Sequence, residues 1–145
     1  MRAFRLALFV AIVAMVLTSA SAFAQLHELG TGAPGPIKAR HLAQSQGEAV
    51  FVDFTAAWCL SCQVNEKAVL QDKSVEDELI RQHYVLLRAD WTRYDPEITE
   101  ALGKIGRNGV PTYVVFSAGA DGSSHVLPEL LTRTEVLDAI HHAGS

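Results

Sequence analysis

Apolar positions along the chain follow two rhythms after one unbroken opening run, Leu6 to Leu17. Val50-Phe51-Val52-Asp53-Phe54-Thr55 is apolar at nearly every place over strand length. Such a run suits a central strand covered on both faces. Tyr84 to Ala89 and Thr112 to Phe116 read the same way, and His125 to Leu131 predicts a fourth strand after a Gly- and Asp-containing turn at Ala118 to Ser124. Helical segments lie between them. Residues 38–46 carry Ala39, Leu42 and Ala43, and Gln63 to Leu70 has helix-forming composition. Ser74-Val75-Glu76-Asp77 opens a helix to about Gln82, with the serine as cap and acids in the first turn. Asp95-Pro96-Glu97 opens another with proline in its favoured first position. Its Ile98, Leu102 and Ile105 share a face until Gly106 or Gly109 stops it. Thr132 and Glu135 have capping-box spacing ahead of Val136, Leu137 and Ile140. From Val50 onward the order is β-α-α-β-α-β-β-α. That predicts a mixed β-sheet flanked by helices, a three-layer α/β domain.

The opening run does not belong to this domain. Arg2 and Arg5 precede it, and small residues follow it to Ala22-Phe23-Ala24. Basic start, apolar centre and A-x-A site predict a secretory signal over residues 1–24, cleaved before Gln25. The competing reading is an uncleaved anchor, since a spanning helix needs about 20 apolar residues; the Thr18-Ser19-Ala20-Ser21 stretch favours cleavage. Residues 25–145 then form the single domain, with a Gly- and Pro-rich lead-in over 25–37. Losing Arg2 and Arg5 moves the formal charge from −4 to −6. An acidic surface argues against nucleic acid as a partner. Export sets the protein where disulfides persist.

Against that background the two cysteines carry the chemistry. Trp58-Cys59-Leu60-Ser61-Cys62 stands where the first strand meets its helix. Disulfide exchange needs a thiolate that attacks and a second thiol that resolves the mixed disulfide. A helix N-terminus favours the thiolate through its free N–H groups and positive dipole end. Cys59, at the terminus, is the expected nucleophile, and Cys62, one turn deeper, the resolver. A zinc site needs four ligands, and there is no second cysteine pair. Haem attachment is excluded because Gln63, not histidine, follows Cys62. A structural disulfide stays open.

Three more positions bear on the pair. Asp53 is a carboxylate inside an apolar strand, where desolvation disfavours its charge; such an acid can accept and return the resolving thiol's proton. Glu66 lies at i+4 from Cys62 and i+7 from Cys59, on the same helical face, or is a plain surface acid. Val110-Pro111, after Gly109 and before a strand, is compatible with a cis bond that would turn Val110's backbone toward an extended substrate.

Val52-Asp53-Phe54-Thr55-Ala56-Ala57-Trp58-Cys59-Leu60-Ser61-Cys62, with Gly109-Val110-Pro111-Thr112, resembles the thioredoxin superfamily. Cys62-Gln63-Val64-Asn65-Glu66, Ala89-Asp90-Trp91-Thr92, Gly106 to Pro111 and Leu127 to Thr132 are similar to the C-terminal periplasmic domain of DsbD- and ScsB-type thiol:disulfide interchange proteins. The resemblance covers residues 48–143. It implies a thioredoxin fold, Asp53 as the buried acid, Trp58 beside the nucleophile and Pro111 as a cis-proline facing the cysteines. It also implies that Glu66 joins Asp53 in tuning them, and that Trp58, Val110 and Pro111 meet the substrate. Two departures are expected. Here the domain stands behind a signal, so electron transfer from a membrane donor of that type becomes a step between proteins or a different step altogether. Leu86 takes the place where many cytosolic thioredoxins have a lysine beside the buried acid, so proton handling is expected to rest more on Glu66.

The expected activity is a periplasmic protein-disulfide reductase that passes electrons to disulfide-bearing substrates. Its redox group is the Cys59–Cys62 pair, without cofactor or metal. No histidine or charge lies between the cysteines, and Asp53 and Glu66 would repel a thiolate, which disfavours a strong oxidant. The alternatives are a disulfide oxidant or isomerase, a Cu(I) metallochaperone using both sulfurs, and a redox-inactive binding module at Pro111. Met15 falls in the predicted signal, so thioether ligands are missing from the mature chain.

Overall fold

The computed structural model describes residues 35–119 and 122–143. The predicted signal and most of the lead-in lie outside the described residues. The elements run α1 (Pro36–Ser45), β1 (Val50–Thr55), α2 (Leu60–Asn65), α3 (Lys73–Arg81), β2 (Val85–Asp90), α4 (Pro96–Lys104), β3 (Thr112–Phe116), β4 (Ser124–Val126) and α5 (Arg133–Ala143). Between α2 and α3 the helix continues as a π-helical turn, Glu66–Leu70.

The strands order β2-β1-β3-β4, with β1 parallel to β2 and antiparallel to β3. Every residue of β1 is buried because helices cover both faces. Alternation along the strand divides the core. Phe51, Tyr113 and Val115 face Leu70, Val75, Leu79, Val136 and Ile140 from α3, α5 and the π turn. Val50, Val52, Phe54 and Val114 face Ala43, Ile98 and Leu102 from α1 and α4. This is the three-layer α/β arrangement that the order of elements predicts.

Several boundaries differ from expectation for local reasons. The helix after the cysteines begins at Leu60, not Gln63, because Cys59 itself serves as its N-cap. At α3 the cap is Asp72 rather than Ser74: its carboxylate accepts from Ser74 N at 3.0 Å, and Ser74 is already the second residue of the helix. β4 ends at Val126 instead of reaching Leu131. Leu127 N still donates to Tyr113 O at 2.9 Å, but Pro128 has no N–H to continue the ladder. In α1 only Ala43 and Gln44 are buried, and Leu42 is 53% exposed. The remaining caps follow the sequence. Asp95 accepts from Glu97 N and Ile98 N, and Thr132 and Glu135 exchange reciprocal bonds. Gly106, at φ 71°, takes the left-handed step that ends α4.

Candidate functional site

β1 delivers the chain into a short bend at Ala56–Trp58, and α2 starts immediately afterwards. The bend is pinned from β2's exit: Ala57 N donates to Thr92 Oγ1 at 2.8 Å, and Trp58 Nε1 to Thr92 O at 3.2 Å. Thr92 is held in turn by Asp90, whose carboxylate accepts from its N–H at 2.9 Å and from its hydroxyl. Trp58 stacks on Tyr94 and leans on Trp91, and Trp91 Nε1 donates to Thr99 Oγ1. The tryptophan beside the cysteines is therefore fixed by an aromatic cluster yet stays 51% exposed.

Cys59 and Cys62 are joined as a disulfide, with Cα atoms 5.3 Å apart. Cys59 caps α2: its sulfur accepts from Cys62 N at 3.2 Å. Both are buried, Cys59 at 5% exposure and Cys62 at 2%. They pack with Ala56 and against Val110, which precedes the cis Val110–Pro111 bond. Around them is a shallow depression of about 550 Å³ lined by Trp58, Cys59, Leu60, Ser61, Val64, Val110 and Leu130. Cys59 lines it and Cys62 does not. An incoming chain thus meets Cys59, the Ser61 hydroxyl and apolar residues, with no charged side chain in the lining.

On the face of β1 that carries Phe51 and packs against the π turn lies a group of ionisable side chains. Asp53 is 3% exposed, and its Oδ1 is buried without a hydrogen-bond partner. Burial pushes its carboxyl up to about 7; Arg88 opposes the rise and Glu66 adds to it. In register with Asp53 are Arg88 on β2 and Tyr113 on β3. Arg88 donates to both oxygens of Glu66, Nη1 to Oε1 at 3.2 Å and Nη2 to Oε2 at 2.8 Å. Burial works against Arg88's charge, but the bonds to Glu66 and the charges of Asp53, Glu66 and Asp90 carry its pKa above the ordinary value. Tyr113's hydroxyl is pushed up by burial.

Arg88 is the residue that sequence reasoning missed. Leu86, expected beside the buried acid, pairs in register with Phe51 instead. The cation next to Asp53 is two residues further on, so the acid does have a basic neighbour. The signal was the charge inside the strand Val85–Asp90, legible only with the parallel register in hand. Glu66, expected on the face of the cysteines or as a plain surface acid, is half of a two-pronged ion pair with Arg88. Asn65 was missed too. Buried at the end of α2, it donates to Tyr113 Oη and Glu129 O and accepts from Leu131 N. It ties the active-site helix to β3 and to the Leu130 rim. Among the described residues no group of three or more His, Cys, Asp or Glu is placed to hold a metal ion. No described helix is long and apolar enough to cross a membrane.

A family model described as thioredoxin-like matches residues 38–118. The chain belongs to the thioredoxin-like family. It is 38% identical over 76 residues, 52% of its length, to the thiol:disulfide interchange protein DsbD of Vibrio cholerae, and 36% identical over 77 residues to that of Yersinia pestis. These matches span only 12% and 13% of the relatives' own lengths. Among solved structures, the reduced C-terminal domain of DsbD from Neisseria meningitidis superposes with a TM-score of 0.60 at 22% identity, covering 74% of this chain and 93% of that one. A thioredoxin from Thermus thermophilus gives 0.61 at 28%, covering 74% and 82%. The Neisseria comparison concerns the fold. The sequence matches extend the likeness to DsbD.

Proposed function

We propose that the protein is a periplasmic protein-disulfide reductase that uses its own Cys59–Cys62 dithiol as the redox group, without an added cofactor. The observation that carries this reading is the cysteine pair at the start of α2, with Cys59 alone of the two opening onto an apolar surface depression. The DsbD relatives bear the name of thiol:disulfide interchange proteins, which supports exchange with protein partners. A membrane protein of DsbD or ScsB type is the proposed donor, and disulfide-bearing periplasmic proteins the acceptors.

In the reduced protein the Cys59 thiolate attacks one sulfur of a substrate disulfide. The substrate S–S bond breaks, and one substrate sulfur leaves as thiolate and takes a proton. Cys62 then gives its proton to a base, and its electron pair attacks the Cys59 sulfur. The Cys59–Cys62 bond forms as the mixed disulfide breaks, so two electrons have passed to the substrate. Asp53, a buried carboxyl whose pKa is near neutral, suits the base that takes and returns that proton. Trp58, Val110 and Leu130 supply apolar contact for the substrate chain, and Val110's backbone supplies edge pairing.

The test is insulin-type disulfide reduction by the reduced protein. Turnover that depends on both cysteines supports the reading. Thiols that titrate normally but give no reduction above the background of the reductant would refute it.

A further inference from the structure

The site holds two carboxylates, and either one has the chemistry to serve Cys62. Their surroundings differ. Glu66 spends both oxygens on the Arg88 fork, whereas Asp53 keeps one buried oxygen without a partner. Protonating a carboxylate held at both oxygens by a guanidinium forfeits the charge that makes those bonds strong. Protonating a buried carboxylate whose oxygen has no partner forfeits no such bond there.

We infer that Arg88 is a positioning residue that divides the labour of the two acids: it withdraws Glu66 from proton transfer, and through its charge it sets the pH at which Asp53 exchanges a proton with Cys62. This rests on the proposed dithiol chemistry. Arg88 suits the role because β1–β2 register puts it beside Asp53 while its fork reaches Glu66 on the π turn. Few other ionisable groups compete for Asp53. From β3 it is faced by Tyr113, whose hydroxyl accepts a hydrogen bond from Asn65; on β2, Asp90 acts on Arg88 itself. Glu66 thus acts on Asp53 in two ways, by its own negative charge and by occupying the cation that would otherwise act alone on Asp53.

The signs follow. Arg88→Gln removes the charge that favours the Asp53 carboxylate and leaves Glu66 unpaired, so Asp53 should hold its proton to higher pH. Glu66→Gln leaves Arg88 facing Asp53 alone, so Asp53 should lose its proton at lower pH. Opposite charges at such range shift a carboxyl by about one unit or more, so each titration midpoint should move by about one pH unit, tenfold in proton affinity. The experiment is carboxyl NMR titration of Asp53 in the oxidised wild type, Arg88→Gln, Arg88→Lys and Glu66→Gln. Alongside it runs the pH profile of mixed-disulfide resolution, with and without Asp53→Asn. Expected are opposite shifts for Arg88→Gln and Glu66→Gln, near-restoration in Arg88→Lys, and no effect of Arg88→Gln on the profile once Asp53 is Asn. Should Arg88→Gln fail to fold, the double variant Arg88→Gln, Glu66→Gln, which strands no carboxylate, replaces it, and its Asp53 midpoint should lie above that of Glu66→Gln alone. An unmoved Asp53 midpoint in folded Arg88→Gln, an upward or absent shift in Glu66→Gln, or an Arg88 effect that persists in Asp53→Asn would overturn the proposal. The NMR titration uses the oxidised protein and is blind to the direction of electron flow, so failure of the reductase reading leaves this result standing, and the reverse.

Discussion

Asp53 lies inside a fully buried strand, and replacing it by Asn turns its electrostatics into a stability measurement. Its carboxyl moves from 3.8 in the ordinary state to about 7 in the fold, chiefly through burial. That is about three units, at about 1.4 kcal/mol each, so ionised Asp53 costs the fold about 4 kcal/mol. The folded value lies above the unfolded one. The wild type is therefore free of this cost below the ordinary carboxyl range, and loses stability progressively as pH rises toward and through about 7. Asp53→Asn removes the titration. Its stability advantage over wild type should be under about 1 kcal/mol at about pH 4 and approach a ceiling of about 4 kcal/mol at about pH 8. About 4 kcal/mol is a ceiling because the cost levels off once Asp53 is ionised in both states, and the Asn amide's donors, in a pocket where Oδ1 already has no partner, only subtract from it. Urea unfolding of the oxidised proteins across that range reads the difference. A pH-independent difference, or an Asn variant less stable at high pH, would refute the view that Asp53 is a water-excluded acid.

Further outcomes follow from the same geometry. Cys59→Ser should abolish turnover, whereas Cys62→Ser should accumulate mixed disulfides with substrate, because attack needs the thiol that lines the depression and release needs the one behind it; trapping by Cys59→Ser, seen on non-reducing gels, would reverse the assignment. Asn65→Ala should destabilise the fold by about 2–3 kcal/mol in urea unfolding, since it strands the buried Leu131 N–H and two further partners; a loss under about 0.5 kcal/mol would mean that these bonds exchange freely with water. Trp58→Ala should raise KM for a protein substrate more than it lowers reactivity toward a small disulfide, because Trp58 offers exposed apolar surface rather than a reacting group; equal effects on both would contradict a docking role.

Much of this architecture was legible from residue order. β1 was readable to its ends because a dense apolar run has one comfortable place, the middle of a covered sheet. The caps at Asp95 and Thr132 were readable because capping is local chemistry. The cysteine pair was readable because its two sulfurs lie within one turn of the same helix. What was not legible depends on register and on distant partners. Nothing in residues 84–89 says that Asp53 pairs with Arg88 and not with Leu86, since parallel strands joined through helices carry no turn to fix their alignment. The Arg88–Glu66 ion pair joins residues 22 positions apart, and the Asn65 bridge reaches 66 positions to Leu131. The shortened β4 was readable in principle from Pro128, a residue that the apolar pattern around it obscured.

The central claim is that Cys59 and Cys62 form a reducing couple. Its most direct test is the reduction potential of the pair, measured by equilibrating the protein with glutathione buffers and separating the reduced and oxidised forms. In this structure Cys59 Sγ accepts from Cys62 N and lies 3.6 Å from Ser61 Oγ, with no positively charged neighbour in the depression around it. No cation then adds to the helix terminus and these two neutral contacts in stabilising the thiolate. A reducing couple of this kind should have a potential of about −230 mV or lower, toward the thioredoxin value of about −270 mV. A value near −120 mV, that of a strong disulfide donor, would contradict it.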